Sequence, residues 1–117
     1  MPYGKPNRPP LSWAPPEPVP TAAIAHGRAE DIVRVLHGRY RDPCLYGSVA
    51  RGEAGPGSDI DIAASAEPGL AAEWDRLLSD ELSGLLGIPV DLCRWDSMCP
   101  EHRATAERDA IPLGPAR

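Results

Sequence analysis

The sequence predicts a small α/β (α+β) domain, in which a mixed β-sheet of three to four strands packs against helices. Three short segments, residues 44–47, 59–64 and 88–94, are apolar or alternate between polar and apolar residues, as strands do. Two longer segments, residues 21–40 and 70–86, repeat apolar residues at spacings of three and four, which predicts amphipathic helices. With 117 residues, the chain can form one domain with a small core.

The N-terminal segment is predicted to form a disordered or extended arm. Residues 1–20 contain eight of the fifteen prolines, and proline is incompatible with a regular helix or a central strand. A partner-binding arm of the polyproline type is an alternative interpretation of the same composition. We therefore expect a Pro-rich disordered arm at residues 1–20 and a folded domain at residues 21–117.

The net charge and the hydropathy of the chain limit the classes of function that it can have. The net charge of −5 argues against a broad, non-specific nucleic-acid surface, but it does not exclude ATP, which Mg²⁺ and a few arginines can bind. The chain has no long apolar run and no signal-peptide pattern, which predicts a cytoplasmic, soluble protein without a membrane partner. Its cysteines, Cys44, Cys93 and Cys99, lack zinc-site spacing and are expected to be reduced thiols.

The first helix is predicted to run from Thr21, which can serve as its N-cap, to Tyr40. Gly27 weakens the first turns, so the firm part of the helix is expected to begin near Arg28. Pro43 cannot continue a helix and marks the region where it must have ended.

The segment after this helix predicts a strand followed by a sharp turn. Leu45 and Tyr46 favour the end of a buried strand, and Gly47 then lets the backbone turn and expose its N–H groups. Ser48 suits the N-cap of a short helix over residues 49–53. A helix N-terminus with free amides and a serine hydroxyl is well suited to bind an anion.

A carboxylate pair follows on the next strand. The run Asp59-Ile60-Asp61-Ile62 alternates, so Asp59 and Asp61 are expected on one side of the strand and the isoleucines in the core. Two carboxylates held side by side repel each other unless a cation lies between them, and Mg²⁺ is the usual partner of such oxygens and substrate phosphates. A phosphate-binding turn that faces this pair predicts a metal-dependent nucleotide site.

The second half of the chain is predicted to add a helix, a strand and two smaller elements. The helix over residues 70–86 ends at a glycine, and its Trp74 is expected in the core rather than against a nucleotide. Alternation on the third strand leaves open whether Asp91 is an ordinary solvent-facing aspartate or a further functional carboxylate. A charged helix over residues 100–108 is expected on the surface, before a short edge strand at residues 110–113.

The central motif resembles the signature of a known superfamily. Gly47-Ser48, ten intervening residues and Asp59-x-Asp61 resemble the signature of the DNA polymerase β-like nucleotidyltransferases. The run Gly47-Ser48-x-Ala50-Arg51-Gly52-Glu53 is similar to that of the minimal nucleotidyltransferases (MNT-type proteins), many of which are antitoxins encoded beside a HEPN-domain toxin. The general layout fits from residue 28 to residue 113, and residues 108–113 look like the usual ending of the minimal family.

The resemblance implies a polymerase β palm-like nucleotidyltransferase fold, ATP as substrate and two Mg²⁺ ions. It implies that Asp59, Asp61 and Asp91 are the catalytic metal ligands, with Asp59 and Asp61 on both ions and Asp91 on the nucleophile-side ion. Gly47 and Ser48 would bind the β- and γ-phosphates through backbone amides and the serine hydroxyl.

Arg51 is a further candidate for nucleotide binding. It lies one helical turn beyond the phosphate-binding turn, from which it could reach the triphosphate. The alternative is a surface arginine paired with Glu53, and the sequence leaves both interpretations open. Glu53 itself is expected to be exposed and has no predicted catalytic role.

The resemblance also implies an activity and a partner. In the antitoxin members of the family, AMP is transferred from ATP to a tyrosine of the HEPN-type RNase toxin. The chain is too short for the domains with which larger nucleotidyltransferases hold nucleic acid or a small-molecule acceptor, so we expect a protein acceptor and no direct nucleic-acid contact. Two alternatives remain: a binding-only antitoxin with an idle site, and a small-molecule adenylyltransferase that works as a dimer. Both a homo-oligomer and a hetero-oligomer are compatible with these interpretations.

Overall fold

The computed structural model describes residues 18–114. This range forms a mixed sheet packed with helices, as the sequence predicts. Its elements are α1 (Ala22–Gly27), α2 (Ala29–Leu36), β1 (Tyr40–Tyr46), α3 (Gly47–Arg51), β2 (Ile60–Ala66), α4 (Glu73–Leu86), β3 (Val90–Arg94), a 3₁₀ turn (Trp95–Ser97), α5 (Pro100–Asp109) and β4 (Ile111–Pro112). Most of the predicted N-terminal arm, residues 1–17, lies outside the described residues, so the arm and the domain boundary stay predictions.

The sheet has the strand order β3-β2-β1-β4. β1 runs antiparallel to both β2 and β4, whereas β2 and β3 are parallel. Parallel neighbours need a long crossover connection, which α4 provides. The resulting register places Asp61 of β2 directly opposite Asp91 of β3.

The predicted helix over residues 21–40 is wrong in two respects. It breaks after Gly27 into α1 and α2, and it ends before Tyr40, which is already the first residue of β1. The low helix propensity of glycine accounts for the break. The predicted N-cap is confirmed, because the Thr21 side chain accepts a hydrogen bond from the Ile24 amide at 3.3 Å.

Pro43 lies inside β1 and does not follow a helix. The pairing of β1 with β2 shifts between Arg41 and Cys44, so residues 42 and 43 together oppose one residue of β2 and form a bulge. Asp42 adopts a positive φ of 53° at this bulge. A bulge tolerates proline because an unpaired position needs no N–H donor.

The main core lies on one face of the sheet. Ile60 and Ile62 of β2 are fully buried there, as the alternation of the carboxylate motif predicts. The helices α2 and α4 cover this face and contribute Ile32, Leu36, Leu78 and Leu82.

α4 begins at Glu73, later than predicted, and ends as predicted at Gly87, which is left-handed with a φ of 71°. Leu77 does not belong to the buried stripe, because it is 54% exposed. Trp74 packs against the core, with the Arg39 guanidinium 3.9 Å from its ring centroid. The expectation that Trp74 is a core residue is therefore confirmed.

The opposite face of the sheet is only partly covered. Tyr46, Ala63 and Ala106 form a small buried cluster there, and Trp95 and Met98 pack against it. α5 is mostly exposed, as predicted, but its buried alanine fixes it to this face. The predicted edge strand is confirmed as β4, which pairs with β1.

Two expectations from composition can be compared with the structure. All three cysteines are free thiols, with Cys44 and Cys93 half-buried and Cys99 exposed. Among residues 18–114, no helix has the length and apolar character that a membrane crossing requires.

Candidate active site

The turn between β1 and α3 brings the backbone against Asp61. Gly47 has a φ of 77°, a left-handed conformation that favours glycine. A Cβ atom placed on Gly47 would lie only 2.7 Å from Asp61 Oδ2, so even alanine would clash with this carboxylate. Glycine is therefore required here both by the backbone conformation and by the close approach of the acid.

Ser48 does not cap the helix, contrary to the sequence prediction. α3 begins at Gly47, two residues earlier than predicted, because the positive φ of this glycine turns the chain immediately after the strand. Tyr46 takes the N-cap position and makes no side-chain capping hydrogen bond. Ser48 thus lies half-buried in the first turn of the helix, where backbone amides have no partner within the helix.

The predicted carboxylates lie at neighbouring positions of the parallel strand pair. Asp61 is half-buried on β2, and the exposed Asp91 is its direct partner on β3. Asp59 is exposed and precedes the first residue of β2, so it lies just outside the strand in which it was predicted. The fold therefore brings the Asp-x-Asp motif and Asp91 to one region, beside the Gly47 turn.

The pKa of Asp61 reflects its position beside other acids. Its pKa is raised to about 6, first by burial and then by the negative charges of Asp91 and Asp59. The electrostatic influence of His102 and Arg51 opposes this shift. A cation placed among these acids would stabilise the ionised form of Asp61 further.

The donor set of this cluster fits Mg²⁺, a hard cation that prefers carboxylate and phosphate oxygens. Within the described range, no three His, Cys, Asp or Glu side chains are arranged so that they could hold a metal ion by themselves. Mg²⁺ commonly binds one or two protein carboxylates and completes its coordination with substrate phosphates and water. The cluster therefore suits an ion that binds together with a nucleotide.

Arg51 is the last residue of α3 and is held by two acids. Its Nε donates to Glu53 Oε1 at 2.9 Å, and its Nη1 donates to Asp109 Oδ2 at 2.6 Å. The pairing with Glu53, one of the two alternatives for Arg51, is therefore present. The bond to Asp109 joins α3 to the end of α5 and has no counterpart in the sequence prediction.

A cavity of about 310 Å³ lies between the Gly47 turn and α5. Residues on β1, α3 and β2 form one wall, and residues on α5 form the other. The first wall consists of Tyr46, Gly47, Ser48, Arg51 and Asp61, and the second of His102, Thr105, Ala106 and Asp109. A larger cavity of about 430 Å³ lies by α2 and residues 113–114, and no residue of the carboxylate motif lines it.

The α5 wall is the part of the site that the sequence prediction missed. His102, Thr105, Ala106 and Asp109 are spaced by three, one and three residues, so they share one helical face. This spacing is visible in the sequence, but the low apolar content of the helix gives no sign that the face packs on the sheet. Contact with Tyr46 and Ala63 through Ala106 turns this face toward the sheet, while His102 and Thr105 stay exposed.

Tyr46, which is buried, and Cys93, which is half-buried, lie beside the carboxylates. Burial raises the pKa of the Tyr46 hydroxyl above its usual range. Burial likewise raises the pKa of the Cys93 thiol, whose Sγ is 3.6 Å from Asp91 Oδ2. Both groups are therefore protonated at neutral pH, and Cys93 is not an activated nucleophile.

Comparison with known proteins gives the family of the chain. The family model described as "Nucleotidyltransferase domain" matches residues 28–113. This is the range over which the sequence layout resembles the family. Comparison with the curated proteins gives no significant match.

Solved structures share the fold. A protein described as a minimal nucleotidyltransferase has a TM-score of 0.67 at 34% identity, over 79% of this chain and 95% of that one. A toxin–antitoxin structure with AMP-PNP has a TM-score of 0.67 at 23% identity, over 79% and 74%. The tri-AMPylated Shewanella oneidensis HEPN toxin in complex with MNT antitoxin gives 0.61 at 20% identity, over 80% and 72%. With a family model that spans most of its length, the chain belongs to the nucleotidyltransferase domain family.

Proposed function

We propose that this chain is a Mg²⁺-dependent nucleotidyltransferase that transfers AMP from ATP to a tyrosine of a HEPN-type RNase toxin in the cytoplasm, and that it acts as the antitoxin of that toxin. The observation that carries the proposal is the juxtaposition of Asp61 and Asp91, in register on parallel strands, with the Gly47 turn. A carboxylate cluster beside a tight glycine turn suits a triphosphate and its metal ion.

The proposal assigns a role to each residue of the motif. Asp59, Asp61 and Asp91 are the metal ligands, and two bound Mg²⁺ ions would supply charge neutralisation and alignment of the attacking and leaving oxygens. Gly47 lets the phosphates approach the backbone, because no Cβ stands between the turn and Asp61. Its amide and that of Ser48 bind the β- and γ-phosphates.

The transfer itself needs a nucleophile and a proton acceptor. The phenol oxygen of the acceptor tyrosine attacks the α-phosphorus of ATP, a P–O bond forms, and pyrophosphate leaves. The phenol proton passes to Asp91, which is exposed and so accessible to an incoming side chain. The protein contributes mainly by holding the reactants in line.

A protein acceptor is consistent with the accessibility of the site. Asp59 and Asp91 are both exposed, so a side chain on another protein can reach the carboxylates without a rearrangement of this chain. One structure of the same fold is that of a tri-AMPylated HEPN toxin in complex with MNT antitoxin. A bulky, negatively charged AMP group near an RNase centre would repel RNA phosphates, which explains how transfer could silence a toxin.

Intact-mass analysis of co-purifying protein tests the proposal. The full chain is purified with its bound partner, and masses are measured before and after incubation with ATP and Mg²⁺. We expect the partner to gain whole AMP units with the wild-type chain and with Asp80→Asn, an exposed acid on α4. We expect no gain with Asp59→Asn.

The other outcomes separate the alternatives. A stable partner whose mass does not change would overturn the transfer activity and favour a binding-only antitoxin. If no partner co-purifies and ATP is nevertheless consumed, the acceptor is a small molecule. Oligomeric state by light scattering would then show whether the chain works as a dimer.

A further inference from the structure

Two acids of unequal environment hold the single arginine of the candidate nucleotide cavity. We propose that Asp109 is a positioning residue, which fixes the Arg51 guanidinium so that its remaining N–H groups face the triphosphate, whereas Glu53 is dispensable. This inference rests on the proposed function, since it requires a phosphate for Arg51 to bind. It adds the end of α5 to the nucleotide-binding machinery.

The geometry of the two ion pairs differs. The Arg51 Nη1–Asp109 Oδ2 distance is 2.6 Å, and the Asp109 side chain is 15% exposed. The Arg51 Nε–Glu53 Oε1 distance is 2.9 Å, and the Glu53 side chain is 66% exposed. A pair that is shielded from water is less weakened by screening than an exposed pair. The bond to Asp109 therefore has the stronger influence on where the guanidinium lies.

The position of Asp109 in its helix points to the same role. Asp109 is the last residue of α5, where the helix dipole disfavours a negative charge. Arg51 is the last residue of α3, where a positive charge is favoured. Within α5 itself, a negative charge at the last residue is thus unfavourable. The positive charge of the arginine across the cavity compensates for this unfavourable interaction.

The arginine keeps donors for a ligand while it is held. A guanidinium carries five N–H groups, and the bonds to Glu53 and Asp109 use one at Nε and one at Nη1. No other hydrogen bond of Arg51 is formed within residues 18–114. Arg51 and Asp109 both line the cavity that contains Gly47 and Ser48. The fixed guanidinium therefore presents further donors at the wall where phosphates are proposed to bind.

Calorimetric titration of the full chain with Mg²⁺ and a non-hydrolysable ATP analogue tests the role of Asp109. We expect Asp109→Asn to raise Kd by about tenfold, because a charge-assisted bond that orients the arginine is lost. The matched control is Glu53→Gln, which removes the other partner of the same guanidinium and should change Kd by less than about twofold. Asp109→Glu should restore part of the affinity.

Kinetics and a double-mutant cycle distinguish positioning from a structural effect. If Asp109 acts through Arg51, Asp109→Asn raises KM for ATP with a smaller change in kcat, and it adds nothing in an Arg51→Ala background. Full additivity in that background, or a lower Kd for Asp109→Asn, would overturn the inference. Equal Kd values for Asp109→Asn and the wild type would overturn the inference about Asp109 but not the proposed function. A wild-type chain that does not bind the analogue would overturn the proposed function, and the inference with it.

Discussion

The two faces of the sheet are built from the same strands and differ in what covers them. On β2, Ile60 and Ile62 lie under α2 and α4, whereas Asp61 and Ala63 lie on the side where α5 and the 3₁₀ turn pack. Because side chains alternate along a strand, seven residues of β2 supply both the core and the candidate site. The fold thus places the carboxylate beside a rigid core without a separate binding domain.

The two faces also differ electrostatically. No polar or charged residue within the described range is fully buried, so the core face is free of unpaired charge. The site face holds a half-buried Asp61 whose pKa is raised by burial and by two neighbouring acids. Unfavourable interactions of this kind are tolerated where function requires them. Variants on the two faces should therefore lose different properties. Substitutions on the core face should lower stability, and substitutions on the site face should lower activity.

The largest expected effect is the loss of transfer when Asp61 is replaced. We expect Asp61→Asn to lower the rate of AMP transfer by about 100-fold or more, because one fixed electrostatic partner of the reacting phosphates is removed. Its circular dichroism spectrum should remain that of the wild type. The measurement is transfer of labelled AMP to the co-purified partner, with Asp80→Asn as the control. Near-normal transfer by Asp61→Asn would show that the metal-ligand assignment is wrong.

The second effect belongs to the core face. Leu82 of α4 is fully buried, so Leu82→Ala should lower the free energy of unfolding by about 2–5 kcal/mol. Leu77, on the same helix, is 54% exposed, and Leu77→Ala should change stability by less than about 0.5 kcal/mol. Urea unfolding of both variants checks this. Equal losses would contradict the assignment of Leu77 to the surface.

The core face was the more predictable of the two. Ile60, Ile62 and Leu82 follow the strand and helix periods, and burial simply completes these patterns. Leu77 has the same spacing but is exposed, because the apolar stripe of α4 is wider than its contact with the sheet. A periodic pattern identifies an apolar face but not how much of that face is covered.

The candidate site was predictable only where its residues are close in sequence. Gly47 and the Asp-x-Asp motif form a local pattern, and the parallel crossover then brings Asp91 beside Asp61. Ser48 was assigned wrongly because the positive φ of Gly47 starts the helix two residues earlier than predicted. Asp109 lies 58 residues from Arg51, and its role depends on a tertiary contact that no local pattern encodes.

Gly47 directly follows β1 and approaches Asp61, and its substitution can separate backbone strain from the clash with Asp61. We expect Gly47→Ala to lower stability by about 1–2 kcal/mol, since alanine is strained at positive φ, and also to weaken nucleotide binding. Gly52 has a similar φ of 74° but no atom within 4 Å of its Cβ position, whereas the Gly47 position meets Asp61 Oδ2 at 2.7 Å. Gly52→Ala should therefore lose stability through strain alone, no more than Gly47→Ala does, and keep its affinity. If both variants bind the ATP analogue equally well, the close approach at Gly47 has no role in binding.

The smallest expected effect is a gain in stability on the site face. Asp61 has a pKa of about 6 in the folded chain, against 3.8 as its ordinary value. A raised carboxyl pKa means that the folded state is destabilised by ionisation, progressively from pH 4 to pH 6. Asp61→Asn should therefore melt about 5 °C higher than the wild type at pH 7 in EDTA, which corresponds to about 1 kcal/mol after allowance for solvent screening.

This gain should largely disappear below pH 4, where Asp61 is mostly protonated in both the folded and the unfolded wild-type chain, so the variant removes little charge. Differential scanning fluorimetry at pH 7 and pH 3.5 measures both limits, with Asp80→Asn as the control for loss of an exposed charge. Mg²⁺ with the ATP analogue should reverse the order at pH 7, because ligand binding stabilises only the chain that can bind it. A variant that melts below the wild type in EDTA at pH 7 would contradict the repulsion at Asp61. The same carboxylate would then stabilise the fold, and the contrast between the two faces would not hold.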